Sequence, residues 1–380
     1  MKHTSVGTKI LHFFKHETVL IVSFLLAVVS AFFVPPSAAY LDSIDFGTLA
    51  LLFSLMAVVA GIQNAGWFDR FAVRLSLRFR SYRQLALSLV VLCFFSSALI
   101  TNDVALITFV PFSVVLLKKL NLTAKLPSLV VLETVAANLG SMLTPVGNPQ
   151  NLYLFSTYDM RFADLFIAVA PYAALSLLML ILCVLPAKKS GFLPVNPPAA
   201  PPQKTDKKFL LFLYPALFIL ALTAVFRLVP AYIPCIASVV ALLIVDRKAL
   251  LRIDYGLLLT FLFLFIFIGN IGSLPSVSGT LSDIVAGNEV LSGIVVSQFC
   301  SNVPAAILLS RFTQDATALL VGVNLGGLGT LIASMASLIS FRFVLKTDVK
   351  PLPYLLRFTL INLLFLACNL ALWWLLKTFA

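Results

Sequence analysis

Apolar residues run in blocks of about 20, the length that crosses the hydrocarbon of a bilayer, separated by short polar and basic stretches. The pattern predicts spanning helices near 18–34, 46–66, 127–157, 161–186, 209–228, 231–246, 254–273, 315–345 and 353–377, about nine crossings. Two further apolar blocks, 84–118 and 290–312, carry a Ser/Thr-Asn step at their centres. The second is too short to cross twice and contains Pro304, so both are expected as re-entrant hairpins ending inside the membrane. Within 127–157 the run Thr144-Pro145-Val146-Gly147-Asn148-Pro149 breaks the helix. Gly326-Gly327-Leu328-Gly329-Thr330 does the same within 315–345.

The polar positions repeat. Val135, Asn138, Leu139, Gly140 and Thr144 recur as Val321, Asn324, Leu325, Gly326 and Thr330. Asn102, Ala105, Ile107 and Phe112 recur as Asn302, Ala305, Ile307 and Phe312, and Ile44-Asp45-Phe46-Gly47 recurs as Ile253-Asp254-Tyr255-Gly256. The order is kept throughout, as one duplicated unit requires. The expected organisation is a first repeat at 1–186, a Pro-rich cytoplasmic linker at 187–208 and a second repeat at 209–380. An odd number of crossings separates the copies, so the fold class expected is an all-α polytopic membrane protein built from two inverted-topology repeats.

Composition excludes a soluble domain: 61% of residues are apolar, 11% are charged and the mean hydropathy is +1.04. The net charge of +12 is not a nucleic-acid signature here, because the basic residues cluster between apolar runs rather than on one face of a domain. With the two hairpins returning to their own sides, 23 of the 27 Lys and Arg residues fall on one face and only Arg161, Arg227, Arg311 and Lys377 on the other. The positive-inside rule then places the N-terminus in the cytoplasm and the C-terminus outside, in a bacterial inner membrane. The first 40 residues resemble a signal peptide, yet the run from Thr18 to Val34 is near spanning length and more spans follow, so it is expected to be retained. Arg70, Arg74, Arg78 and Arg80, interleaved with apolar residues, predict an amphipathic segment lying in the interface. Cys93, Cys183, Cys235, Cys300 and Cys368 show no paired spacing, which fits neither a disulfide framework nor a zinc site.

A broken helix leaves carbonyls open at one half-helix end and amides at the other, a ready site for a cation and an anion. The candidate substrate and ion ligands are therefore Thr101, Asn102, Asp103, Thr144, Gly147, Asn148, Asn151, Ser301, Asn302, Gly329, Thr330 and Ser334. If the coupling ion is sodium, Asn102 and Asn148 are its candidate ligands. A carboxylate deep in the membrane is costly, which makes Asp103 a candidate for proton or sodium coupling. The alternative, an N-cap on an arm starting at Val104, stays open. Glu133 is expected to reach toward the cytoplasmic interface. All histidines, His3, His12 and His16, precede the first span, and neither HExxH nor GxxxxGK[ST] is present, so no enzyme, cofactor or self-powered pump is expected.

At TND (101–103), TPVGNPQN (144–151), SNVP (301–304) and NLGG (324–327) the chain resembles the ion transporter superfamily, particularly the ArsB/NhaD-type permeases and their YbiR-like inner-membrane branch. The resemblance implies a scaffold domain, a mobile transport domain and a site at hairpin tips and helix breaks. In relatives that carry dicarboxylates, Ser-Asn-Thr tips bind sodium and substrate; both tips here keep the hydroxyl-Asn pair and lack the Thr. The function expected is secondary active transport of a small inorganic or organic anion coupled to H+ or Na+, with a Na+/H+ antiporter as the alternative and a channel disfavoured. The partners expected are the lipid bilayer, the small ion and its coupling ion, with no nucleic acid; a homodimer stays open.

Overall fold

The computed structural model describes residues 18–64, 81–186 and 209–379. The N-terminal tail with its histidines, the basic stretch Arg70–Arg80 and the linker 187–208 lie outside the described residues. Helices account for nearly all the rest: α1 (Thr18–Phe33), α2 (Ala39–Ser43), α3 (Phe46–Asn64), α4 (Tyr82–Ile100), α5 (Asn102–Lys119), α6 (Leu126–Ser141), α7 (Pro149–Thr157), α8 (Phe162–Val184), α9 (Leu210–Val225), α10 (Tyr232–Val245), α11 (Arg247–Leu250), α12 (Tyr255–Gly272), α13 (Pro275–Val285), α14 (Glu289–Cys300), α15 (Asn302–Ser310), α16 (Ala316–Gly326), α17 (Met335–Val344) and α18 (Pro351–Phe379). Among the described residues, α4, α8, α12 and α18 are each long and apolar enough to cross a membrane unaided. The chain is an all-helical polytopic membrane protein.

Local chemistry sets the helix starts. Asp45 Oδ1 accepts from Thr48 N at 2.9 Å and Asp254 Oδ1 from Leu257 N at 2.9 Å, so the duplicated Ile-Asp-aromatic-Gly motif is a pair of N-caps. Asp315 caps α16 through Ala318 N at 2.8 Å, and Asn148 caps α7 through Asn151 N at 2.9 Å. Pro149, with no N–H to lose, occupies the first position of α7.

The helices pack in two groups. In one, α3, α9 and α10 share a core around Tyr214, whose ring lies against Gly61 and whose hydroxyl donates to Asp246 Oδ2 at 2.9 Å; α1 pairs with α12 beside them. In the other, α4–α8 and α14–α18 form most of the large core, which the inner faces of α3, α9 and α12 complete with residues such as Leu55, Ala221 and Phe261. There the tightest pairings are α4 on α6 and α14 on α16. Gly140 permits the first: a Cβ on it would lie 2.0 Å from the carbonyl oxygen of Phe94. The 19 residues of α4 rise about 28 Å, so this first hairpin has a longer leading arm than the second, whose α14 has 12 residues and rises about 18 Å; α4 is itself of spanning length, which a hairpin ending inside the membrane does not require. Each leading arm matches the half-helix it packs against, α6 with 16 residues and α16 with 11.

Candidate functional site

Each hairpin turns on one residue in a backbone region that L-amino acids rarely enter. Thr101 has φ 76° and ψ 148°, and Ser301 has φ 76° and ψ 155°, a conformation nearly confined to glycine that costs roughly 1–3 kcal/mol. The strained residue starts a new helix at each tip and buries the asparagine after it. Asn102 and Asn302 are 5% and 4% exposed. Asn102 N donates to Gly147 O at 3.0 Å, and its Nδ2 donates to Asn138 Oδ1 at 3.4 Å. Asn302 Nδ2 lies 2.9 Å from where a Cβ on Gly327 would stand. Each tip therefore rests on the helix break of its own repeat.

The breaks also hold each other. Asn148 Nδ2 donates to Asn324 Oδ1 at 3.1 Å and to Ser141 Oγ at 3.0 Å. Ser334 Oγ donates to Asn138 Oδ1 at 3.0 Å, and Asn138 Nδ2 donates to Gly327 O at 3.4 Å. The duplication aligns Asn148 with Ser334 and Asn324 with Asn138, so one contact is made twice, once by an amide and once by a hydroxyl. Asn324 Nδ2 closes the network on Asn151 Oδ1 at 2.7 Å.

The end of α6 leaves carbonyls without helical partners. Asn151 Nδ2 donates to Met142 O at 3.0 Å and Thr144 O at 3.1 Å, and Thr144 Oγ1 donates to Ala98 O. Ser337 stands in the second copy's equivalent of Asn151 and has no such reach. Gln298 of α14 covers that end instead: its Nε2 donates to Gly326 O and Leu328 O, both at 2.9 Å, and its Oε1 accepts from Thr330 N at 2.9 Å. Asn102 starts α5, Asn148 and Ser334 precede α7 and α17, and all three bond within the network, with Asn302 at the start of α15 beside Gly327; the starts of these helices thus lie together, an arrangement that favours negative charge.

Asp103 lies in the first turn of α5. Its N–H donates to Asn102 Oδ1 at 2.9 Å, and its buried Oδ1 has no partner. Thr101 holds the cap position, so the N-cap role weighed for Asp103 is not the one it plays. The side chain borders a cavity of about 160 Å³ lined by Thr101, Val146 and Asn148 on one wall and by Met56, Arg252 and Asp254 on the other. Its counterpart Val303 is buried.

Of the expected residues, Asn102, Asn148, Asn151 and Ser334 meet in the buried network, Asn302 is buried beside Gly327 with its Oδ1 accepting from Ser301 Oγ, and Thr101 and Ser301 form the tips. Gly147 supplies the carbonyl that holds the first tip and admits no side chain, since a Cβ would lie 1.9 Å from Ser141 O. Gly329 has φ 110° and Thr330 is exposed; both lie against Gln298, outside the network. Asn102 and Asn148, offered as sodium ligands, already use Oδ1 to accept backbone N–H bonds. Asn138, Asn324 and Gln298 are added by the structure: the two asparagines were visible only as landmarks of the repeat, and Gln298 had no repeated signal. Glu133 corrects an expectation. It is fully buried, accepting from Ser113 Oγ, and does not reach the interface.

A model of a citrate transporter family, CitMHS, matches residues 10–336. The inner membrane protein YbiR of Escherichia coli is 33% identical over 321 residues, 82% of this chain and 84% of the relative. A transporter of unassigned substrate from Methanocaldococcus jannaschii is 32% identical over 302 residues, covering 79% and 81%. The silicon efflux transporter LSI3 of Oryza sativa is 37% identical over 129 residues, 34% of this chain and 26% of its own length. With its helix breaks and hairpin tips joined in one buried centre, the chain belongs to the CitMHS citrate transporter family of the ion transporter superfamily, and it is a membrane transporter.

Proposed function

We propose that the chain is a secondary active transporter of a small inorganic or organic anion, driven by H+ or Na+. The observation that carries this reading is the clustering of residues at the starts of four helices: Asn102 of α5, Asn148 before α7 and Ser334 before α17 bond in one network, and Asn302 of α15 lies beside Gly327, whose carbonyl that network holds. Such ends stabilise an anion without a fixed cationic side chain. Asp103, with an unpartnered oxygen beside the substrate cavity, is the group that binds the coupling ion. The two repeats, 1–186 and 209–380, run in opposite directions, with the N-terminus in the cytoplasm. The group of α4–α8 and α14–α18 moves against the group of α1, α3, α9, α10 and α12, and the cavity beside Arg252 and Asp254 is the cytoplasmic approach.

A second reading, Na+/H+ exchange, is favoured by one feature: Asp103 and Asp254 line the same cavity. Proteoliposomes separate the two. Under an imposed pH or sodium gradient, uptake of one anion from a panel of citrate, other carboxylates, phosphate, sulfate, arsenite and silicate is expected, and Asp103→Asn should abolish its gradient dependence. Na+/H+ exchange with no anion flux would establish the second reading; gradient-driven transport by Asp103→Asn at the parent rate would remove Asp103 from the coupling.

A further inference from the structure

A second cavity, of about 440 Å³, lies between the loop that follows α5 and the start of α18, and neither hairpin tip lines it. Lys118, Lys350 and Arg357 line it, opposed by the single carboxylate of Asp348. The ion pairs among the described residues are Arg161 with Asp164 and Arg227 with Asp159, so none of these three cations is neutralised by a carboxylate. Arg357 is held in place by a hydrogen bond from Nη1 to Ser128 Oγ at 2.7 Å. Pro353 and Arg357, one turn apart on α18, line the cavity, and the same helical face continues into Leu360 and Leu364, 68% and 51% exposed.

We propose that this cavity binds the phosphate of an anionic phospholipid from the cytoplasmic leaflet, with an acyl chain along Leu360 and Leu364. The physical case is a match of layers. Unpaired cations at the membrane surface attract a phosphate, and basic pockets between spanning helices on the cytoplasmic side suit anionic headgroups. A free phosphate shares the headgroup chemistry but has no use for the apolar face below. The placement of this surface in the cytoplasm rests on the topology proposed above; the binding itself does not depend on the transport reading.

The test is thermal unfolding of the delipidated full chain in detergent, with phosphatidylglycerol, phosphatidylcholine or inorganic phosphate added at equal phosphorus. Phosphatidylglycerol is expected to raise Tm by several degrees and the other two to leave it unchanged. The triple variant Lys118→Gln/Lys350→Gln/Arg357→Gln should lose the shift, whereas Lys119→Gln/Lys125→Gln/Lys248→Gln, with the same change in charge, should keep it. All six side chains are exposed, so both proteins are expected to fold; each single substitution, read by native mass spectrometry of retained phospholipid, provides a second measurement. A full shift with inorganic phosphate alone would overturn the lipid assignment in favour of a free anion. Equal shifts in both triple variants, or none in the parent, would overturn the site.

Discussion

Asn148 of the first repeat donates from Nδ2 to Oδ1 of Asn324 in the second at 3.1 Å, and both side chains are buried. Two interrupted helices are thereby tied at the level of their interruptions, where each has backbone groups that its own hydrogen bonds cannot satisfy.

Truncating either partner strands a buried amide. Asn148→Ala and Asn324→Ala are each expected to cost roughly 1–3 kcal/mol. The double variant should cost less than their sum, by about 0.5–3 kcal/mol, because the partners touch. Denaturant unfolding in micelles provides the cycle; strictly additive losses would mean that the bond does not link the repeats.

Strain at the tips makes a separate prediction. At position 101 the φ of 76° suits glycine alone. Thr101→Gly is expected to be more stable than Thr101→Ala by roughly 1 kcal/mol, although glycine in ordinary backbone is the less stable choice. Thermal unfolding of the two variants decides it, and an alanine variant as stable as the glycine one contradicts the strain.

Gly147 and Gly279 should respond in opposite ways to alanine. A Cβ on Gly147 would lie 1.9 Å from the Ser141 carbonyl oxygen, and none of the atoms that could yield is a flexible side-chain end. Gly147→Ala is expected to lose about 3 kcal/mol or to fail to accumulate as folded protein. Around Gly279 in α13 a Cβ meets nothing within 4 Å, so alanine there should gain up to about 1 kcal/mol through helix propensity. Monodispersity and Tm of the purified variants check both.

Arg227, just past the C-terminal end of α9, ties that helix to α7 and the turn that follows it. Its guanidinium pairs with Asp159, donates to Phe155 O at 2.9 Å and stands 5.4 Å from the centroid of the Phe155 ring. Asp159 is exposed, so the ion pair itself is worth at most about 1 kcal/mol, and the contacts with Phe155 add a similar amount. Arg227→Ala is expected to raise labelling of a Ser156→Cys reporter by a membrane-impermeant maleimide up to roughly tenfold. Unchanged labelling would show that Arg227 does not cover Ser156.

The chain by itself determined where its apolar helices, breaks and tips fall, because each rests on a local rule: runs of apolar residues make lipid-compatible helices, proline and glycine interrupt a helix, and a short apolar block with Asn and Pro at its centre turns back. The repeated asparagines marked where polar work is done. Only the tertiary structure decided what they do. Asn148 and Asn324 are 176 positions apart, and no local rule pairs residues across that distance. Gln298 covers carbonyls that Asn151 covers in the other copy, a substitution by a different element that alignment of the repeats cannot reveal. Glu133 is buried rather than near the surface because α4 and α5 wrap the half-helix that carries it, and burial is a property of the packed neighbours.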